Sequence, residues 1–269
     1  MLVPVCPGAY LEAMKLRDTT LPLPPQEDPA PEIRALARRY ARANGVIITL
    51  MNRLGGTLEE RLEQLPAGLR GRVETVTSKA LTRALSIAYH GNKAPDLGPK
   101  AVPALAALTG AVGGAGGLAT ALAELPVTVT LIFHAILRAA EAEGFDAARP
   151  EVRAAALRVL SAGGPMTADD GINTAFLSMR LTITGPMLHA LLARVVPKFS
   201  ITLSQKLALQ AVPILGAVSG ATLNATFLAH YRELAHIQFA LMRLSALHGA
   251  EPVGELFGAE IEALKLNAG

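Results

Sequence analysis

Apolar residues recur at helical spacing along most of the chain, and glycine or proline marks the ends of most of these segments. Leu36, Tyr40, Ile47 and Met51 share one side of a helix that should begin near residue 34 and end at the glycine pair at 55–56. The same patterns predict helices over about 69–89, over the second half of 110–144, over 150–163 and over 254–264.

Two further helices are predicted in the C-terminal half. Thr167 and Asp170 are typical capping residues for a helix that runs toward His189. The stretch from Lys206 to Gly249 has a helical pattern almost throughout, with an irregularity expected at Pro213. The runs TVTLIF and RLTITG are rich in β-branched residues and also suit short buried strands. The pattern as a whole favours an all-α fold, as a single multi-helix domain.

Composition changes this picture only at the N-terminus and in overall hydropathy. Residues 22–31 hold five prolines in ten positions, so we expect residues 1–30 to be flexible and residues 31–269 to form the helical domain. The chain is 51% hydrophobic and 17% charged, which indicates a large helical core or an association with membranes. A single cysteine, Cys6, and a first segment unlike a secretory signal favour the cytoplasm.

Two stretches without formal charge, residues 101–123 and 207–231, are long enough to span a bilayer, which takes roughly 20 apolar residues. Their glycines and polar side chains argue for burial inside the protein instead. Glycines four residues apart lie on one helix face and permit close backbone approach. These glycine pairs are Gly110 with Gly114, Gly113 with Gly117, and Gly216 with Gly220. We therefore expect a buried, glycine-rich central helix pair, while a cavity for an apolar ligand, an insertable hairpin and a true span stay open.

Glu124 is the only charged residue between Lys100 and Arg138, and it precedes Pro126 by two positions. A carboxylate in so apolar a stretch must be paired, hydrated or protonated. One interpretation is a structural role with a buried cation or amide as partner. The other is a role in orienting a ligand.

Four arginines, Arg34, Arg38, Arg39 and Arg42, cluster on one side of the first predicted helix. Placed against anionic lipid headgroups, each would contribute about 1 kcal/mol. Alternatively they form a solvated face paired with Glu32 and its neighbours. The net charge of +3 is modest, and without a nucleic-acid-binding motif we expect no nucleic-acid partner.

Motifs for catalysis are missing from the sequence. It contains no G-x-S-x-G, S-x-x-K, H-E-x-x-H or G-x-x-x-x-G-K, and no paired cysteines. In HYRELAH, Glu233 and His236 share a helix face, as in the Glu-x-x-His of di-iron bundles, but a second such motif is lacking. We expect no catalytic residue, cofactor or metal site, with Glu233 and His236 as the only candidate ligands.

Three phrases resemble the EcsC protein family, in the family's order: GLATALAELPVTVTLIFHAILRAAEAEGFD, PEVRAAALRVLSAGG and KLALQAVPILGAVSGATLNATFLAHYRELAHIQFALMRL. The hallmarks are Glu-Leu-Pro at Glu124–Pro126, Gly-Phe-Asp at Gly144–Asp146, and the run that ends in Asn224. The resemblance covers roughly residues 34–253. It implies a bacterial, mainly helical protein at the cytoplasmic face of the membrane. The family is named for a gene beside those of an ABC transporter implicated in protein secretion.

Together these observations favour a non-enzymatic protein, cytoplasmic or peripheral at the inner membrane, that binds anionic lipid or a membrane protein. The residues expected to bind a ligand or to pack tightly are Gly113, Gly114, Gly117, Glu124, Pro126, Gly216, Gly220 and Asn224. One alternative is a hydrolase or metal-dependent enzyme that draws on Glu124, His230, Glu233 and His236. Another is a soluble interaction scaffold.

Overall fold

The computed structural model describes residues 28–54, 68–89, 104–111, 118–161, 185–210 and 216–266, apart from the side chains of 44–54, 87–89, 185–186, 209–210 and 216–219. These residues form eight helices and no strand, so the fold is all-α as predicted. The helices are α1 (Ala30–Leu54), α2 (Leu69–Tyr89), α3 (residues 104–111), α4 (Leu118–Ala142), α5 (Pro150–Ser161), α6 (Gly185–Gln210), α7 (Gly216–His248) and α8 (Ala250–Leu266).

Local sequence signals explain several helix ends. Gly144 has a φ of 87°, and its N–H donates to Glu141 O at 3.0 Å, while the N–H of Phe145 donates to Ala140 O at 3.0 Å. This pair of bonds is the usual way for a helix to end at a left-handed glycine. Gly249, with a φ of 95°, separates α7 from α8 in the same conformation. The predicted C-terminal ends of α1, α2, α4 and α5 are confirmed to within about two residues, whereas α1 begins at Ala30, earlier than predicted.

The predicted boundaries around α6 are wrong. The sequence analysis placed His189 at the end of one helix and Lys206 at the start of the next, whereas both lie inside α6. Pro186 occupies the first turn of α6, where a missing N–H breaks no helical bond. Thr167, Asp170 and Pro213 lie outside the described residues, as do residues 1–27 and most of RLTITG. TVTLIF is helical and lies within α4.

Helix α4 lies at the centre of the main hydrophobic core and contacts α2, α5, α6 and α7. Its buried side includes Leu125, Val129, Ile132, Phe133 and Ile136. The helix continues through Pro126, which is exposed, and the hydroxyl of Thr130 donates to Pro126 O at 2.7 Å. Buried residues run along most of α4, from Ala121 to Ala140, so the surrounding helices enclose both of its halves.

A second, smaller hydrophobic cluster joins α1 and α8 to the C-terminal half of α7. Ile33 and Leu36 of α1 pack there against Leu241 of α7 and Phe257 of α8. Tyr40 and Met242 contact both clusters. The position of α1 on α7 therefore depends on this second cluster.

Candidate functional site

A buried carboxylate links three helices at the centre of the fold. Glu124 of α4 is 8% exposed. Its Oε2 accepts a hydrogen bond from Lys206 Nζ of α6 at 3.1 Å, and its Oε1 accepts one from Asn224 Nδ2 of α7 at 2.7 Å. Thr128, one turn along α4, donates its hydroxyl to the same Oε1. Glu124 thus has both kinds of partner that its isolation in the sequence calls for, a cation and an amide.

Asn224 extends this network to α3. Its Nδ2 lies 3.1 Å from Ala106 O and 3.4 Å from Thr109 Oγ1. At the same level a Cβ on Gly110 would collide with the carbonyl of Gly220 and lie 2.8 Å from Asn224 Nδ2. The two uncharged stretches therefore do approach each other closely, at Gly110 and Gly220.

The rest of the predicted glycine contact is not covered by the structure. Gly113, Gly114 and Gly117 lie outside the described residues. Gly216 is the first residue of α7, and its surroundings are not described. A glycine-rich pair beyond the Gly110–Gly220 contact stays a prediction.

Burial dominates the electrostatics of Lys206. Its side chain is fully buried, and desolvation lowers the pKa of the ammonium group, while the charge and the hydrogen bond of Glu124 act in the opposite direction. Two opposite charges enclosed in this way compensate each other, and losing either would leave the other unpaired. The arrangement positions α4, α6 and α7 relative to one another, and its groups face each other rather than solvent.

A groove of about 460 Å³ lies between α1 and the outer side of α7. It is lined by Arg39, Arg42 and Ala43 of α1 and by Ala225, Thr226, Ala229, His230, Arg232 and Glu233 of α7. Three guanidinium groups thus face a single carboxylate, beside the methyl groups of three alanines. We refer to this feature as the α1–α7 groove.

Arg39 and Glu233 neutralise each other within the groove. Arg39 Nε and Nη2 donate to the two carboxylate oxygens of Glu233 at 2.6 and 3.0 Å. The hydrogen bond from Arg39 lowers the pKa of Glu233, and the same bond raises the pKa of Arg39. Arg42 and Arg232 are exposed, and neither forms an ion pair with a carboxylate among the described residues. The groove therefore keeps an excess of positive charge on both walls.

His230 is a neutral part of the groove lining. Burial lowers its pKa to about 4, against a weaker opposing effect of the backbone of Ala43. Its Nδ1 lies 3.4 Å from Ala43 O, and because a carbonyl only accepts hydrogen bonds, this nitrogen is the donor. Near neutral pH the ring adds no charge to the groove, so the charges described there are those of the arginines and Glu233.

The four arginines of the predicted basic helix face differ in their surroundings. Arg34 donates to Glu260 of α8 at 2.9 Å, and Arg39 is held by Glu233. Arg38 and Arg42 are exposed one turn apart and have no carboxylate partner among the described residues. Half of the predicted face thus fixes α1 to α7 and α8, while the other half faces solvent.

The residues of the enzyme alternative do not form one site, because His230 and Glu233 line the α1–α7 groove whereas Glu124 and His236 do not. His236 Nδ1 lies 3.2 Å from Glu143 Oε1, whereas Glu233 bonds to α1. Glu124 bonds Asn224, which precedes Glu233 by nine residues, or roughly 13 Å along α7. Over the described ranges, no group of three His, Cys, Asp or Glu residues is arranged to hold a metal ion.

Two exposed apolar side chains, on α3 and α4, define what we call the uncharged surface. Leu108 of α3 is 61% exposed and Val127 of α4 is 43% exposed. Within the described part of the chain, α4 is the one helix long and apolar enough to cross a membrane, and 56% of its most apolar window is buried. Gly220 faces α3, and Thr226 and Ala229 lie on roughly the opposite side of α7 by helical spacing. The uncharged surface and the α1–α7 groove are therefore separate faces.

Comparison with known protein families matches residues 57–244 to the EcsC protein family. The chain belongs to the EcsC family. Neither the search of curated proteins nor the search of solved structures found a match.

The EcsC match includes the buried network and the turn after α4. Glu124, Lys206 and Asn224 all lie within it. In the Gly-Phe-Asp segment, Gly144 ends α4, the ring of Phe145 packs 5.3 Å from that of Phe239, and Asp146 Oδ1 accepts the N–H of Ala148. The residues that carry the EcsC resemblance therefore have direct structural roles in this protein.

The α1–α7 groove lies at the border of the EcsC match. Its α7 wall is inside the matched range, whereas α1 and α8 are outside it. In this EcsC protein, Lys206 and Arg232 were not predicted as site residues from the sequence. One signal was present: Lys206 is the only charged residue between Lys198 and Arg232, the same kind of isolation that drew attention to Glu124.

Proposed function

We propose that this EcsC-family protein binds reversibly to the cytoplasmic surface of membranes that contain anionic phospholipid. The contact surface is the basic face, which we define as Arg38, Arg42 and Arg232. The observation that carries the proposal is that these three guanidinium groups are exposed and have no carboxylate partner among the described residues. They are therefore available to phosphate groups.

Charge and geometry support binding at the surface rather than insertion through this face. A basic side chain near an anionic bilayer contributes about 1 kcal/mol, so three contribute about 3 kcal/mol. This energy is enough for weak, reversible attachment, and it falls with ionic strength because exposed charges are screened. Three alanines lie beside the arginines in the groove, and their small side chains leave room for a headgroup next to the guanidinium groups.

Vesicle flotation tests the proposal directly. The purified protein is mixed with vesicles of phosphatidylcholine alone or with a large fraction of phosphatidylglycerol, at low and at physiological salt. We expect flotation with the anionic vesicles only, and less of it as salt increases. The triple variant Arg38→Gln, Arg42→Gln, Arg232→Gln should bind roughly 100-fold more weakly, as the loss of about 3 kcal/mol implies.

The matched control removes the same charge elsewhere. Arg70, Arg72 and Arg83 are exposed on α2, which packs against α4 and α6, and their replacement by glutamine changes the net charge equally. This control variant should float nearly as well as the original protein. Equal losses in the two triple variants would show that only net charge matters. Equal binding to neutral and anionic vesicles, or none to either, would end the proposal and favour a membrane protein or a soluble partner.

A further inference from the structure

We propose that the α1–α7 groove is a binding site for one phospholipid headgroup, whose phosphate lies between Arg42 and Arg232 and whose glycerol carbons cover the neighbouring alanines. The inference rests on the proposed function and makes it more specific. Diffuse attraction to an anionic surface needs only exposed charge, whereas a headgroup site needs a cavity, a charge balance and a lining that fit one molecule.

The dimensions of the groove fit this ligand class. A volume of about 460 Å³ is within the range of roughly 300–1,000 Å³ that is usual for small-molecule sites. A headgroup with its phosphate and glycerol fills such a space and leaves the acyl chains outside. Arg38 lies one turn from Arg42 on the same side of α1, so the bilayer around a bound lipid would meet a further cation.

The charged groups are arranged for a phosphodiester. Because Arg39 is held by both oxygens of Glu233, it is fixed and largely neutralised. Arg42 and Arg232 approach from different helices, and a guanidinium group donates two parallel hydrogen bonds to phosphate oxygens. A phosphate between the two walls would be contacted from both sides, which a single helix face does not allow.

The apolar part of the lining distinguishes a lipid from a free anion. Ala43, Ala225 and Ala229 place methyl groups beside the arginines, and neutral His230 adds no charge there. Inorganic phosphate gains nothing from such a surface. The carbons of a glycerol headgroup would cover it and bury apolar area, so we expect the lipid to bind more tightly than the ion.

Titration calorimetry with a soluble lipid tests the site apart from any membrane. Dihexanoyl phosphatidylglycerol, below its critical micelle concentration, should bind saturably at one molecule per protein. Dihexanoyl phosphatidylcholine and inorganic phosphate should each bind at least tenfold more weakly. Ala229→Phe fills the groove without changing its charge. Because Ala229 is exposed, the variant should keep the fold. It should no longer bind the soluble lipid. Ala123→Phe, at an exposed position of α4, is the matched control and should bind normally.

The outcomes separate this inference from the proposed function. Loss of soluble-lipid binding in Ala229→Phe, with flotation on anionic vesicles retained at low salt, supports both. Normal soluble-lipid binding in Ala229→Phe overturns the groove site, and so does phosphate binding as tight as that of the lipid. If the original protein binds neither the anionic vesicles nor the soluble lipid, the proposed function is overturned as well. Arg42→Glu provides a second variant, whose exposed position does not affect the core, and it should also abolish soluble-lipid binding.

Discussion

At the level of single residues, the most unusual feature of this fold is the buried ion pair of Glu124 and Lys206. Each is the only charged residue in a long uncharged stretch of sequence, and the two are 82 residues apart. Enclosed charges are costly unless they are paired and hydrogen-bonded, and here Asn224 and Thr128 complete the shell of the carboxylate. The pair therefore requires α4, α6 and α7 to meet in one relative position.

Replacing Lys206 with methionine should destabilise the protein strongly. The substitution keeps a side chain of similar length but leaves the Glu124 carboxylate buried without its cation. We expect the free energy of unfolding to fall by about 3–5 kcal/mol, measured by urea denaturation. Lys198→Met, at an exposed position of the same helix, should change stability by less than about 0.5 kcal/mol.

The double variant Glu124→Gln, Lys206→Met separates charge from packing. Glutamine keeps an acceptor for Asn224 but carries no charge, so much of the lost stability should return. If the single variant Lys206→Met were as stable as the original protein, the two groups would not be enclosed as described.

Among the helices, α3 and the first turns of α7 approach each other closely. Gly110 and Gly220 bring the two backbones so near that no side chain fits between them. Asn224, one turn beyond Gly220, donates to the carbonyl of Ala106 and so fixes the same crossing. Small residues at this crossing therefore allow the amide side chain to reach both α3 and Glu124.

Gly110→Ala should destabilise the protein, although alanine is the better helix former. The added methyl group would meet the backbone carbonyl of Gly220, which cannot rotate away as a flexible side chain could. We expect a loss of about 1–3 kcal/mol in the free energy of unfolding, as for other overpacked positions. Gly71→Ala in α2 is the control, because its methyl group would meet open space; it should stabilise by up to about 1 kcal/mol. Stabilisation by both variants would contradict the close approach.

The helices that the sequence predicted well are those with a glycine or proline near one end. Glycine follows α1 and α4 closely, and Pro150 begins α5, so these local signals were sufficient to predict where the helices begin or end. The start of α6 at Gly185 was missed because one helix was predicted to run from Thr167 and Asp170 toward His189. The need of Glu124 for a partner was evident from isolation alone, but its identity was not, because the pairing depends on how distant helices pack. The groove was missed for the same reason, since it exists only once α1 lies on α7.

At the scale of the whole molecule, the described residues form two hydrophobic clusters rather than one continuous core. The main cluster surrounds α4, and the smaller one holds α1 and α8 on the C-terminal half of α7. Ion pairs reinforce the smaller cluster, with Arg34 bonded to Glu260 and Arg243 to Glu32. Since α1 supplies one wall of the groove, the proposed ligand site depends on the smaller cluster, while the Glu124 network belongs to the larger one.

Phe257→Ala should therefore loosen α1 and α8 without unfolding the centre. Phe257 is 2% exposed, and its ring packs edge-on to Tyr40 at 6.1 Å, so truncation removes contacts that hold α1 in place. Hydrogen exchange followed by mass spectrometry should show faster exchange in α1 and α8 and unchanged exchange in α4. Binding of dihexanoyl phosphatidylglycerol should weaken at the same time, because one wall of the groove becomes mobile.

Phe199→Ala is the matched control in the main core. Phe199 is fully buried on α6 and packs edge-on to Tyr231 at 5.5 Å. Its truncation should cost about 3–5 kcal/mol and accelerate exchange in α4, α6 and α7. If Phe257→Ala instead accelerated exchange equally in every helix, the two clusters would unfold as one cooperative unit. The groove could then not open or close independently of the fold, and lipid affinity would follow global stability rather than the local position of α1.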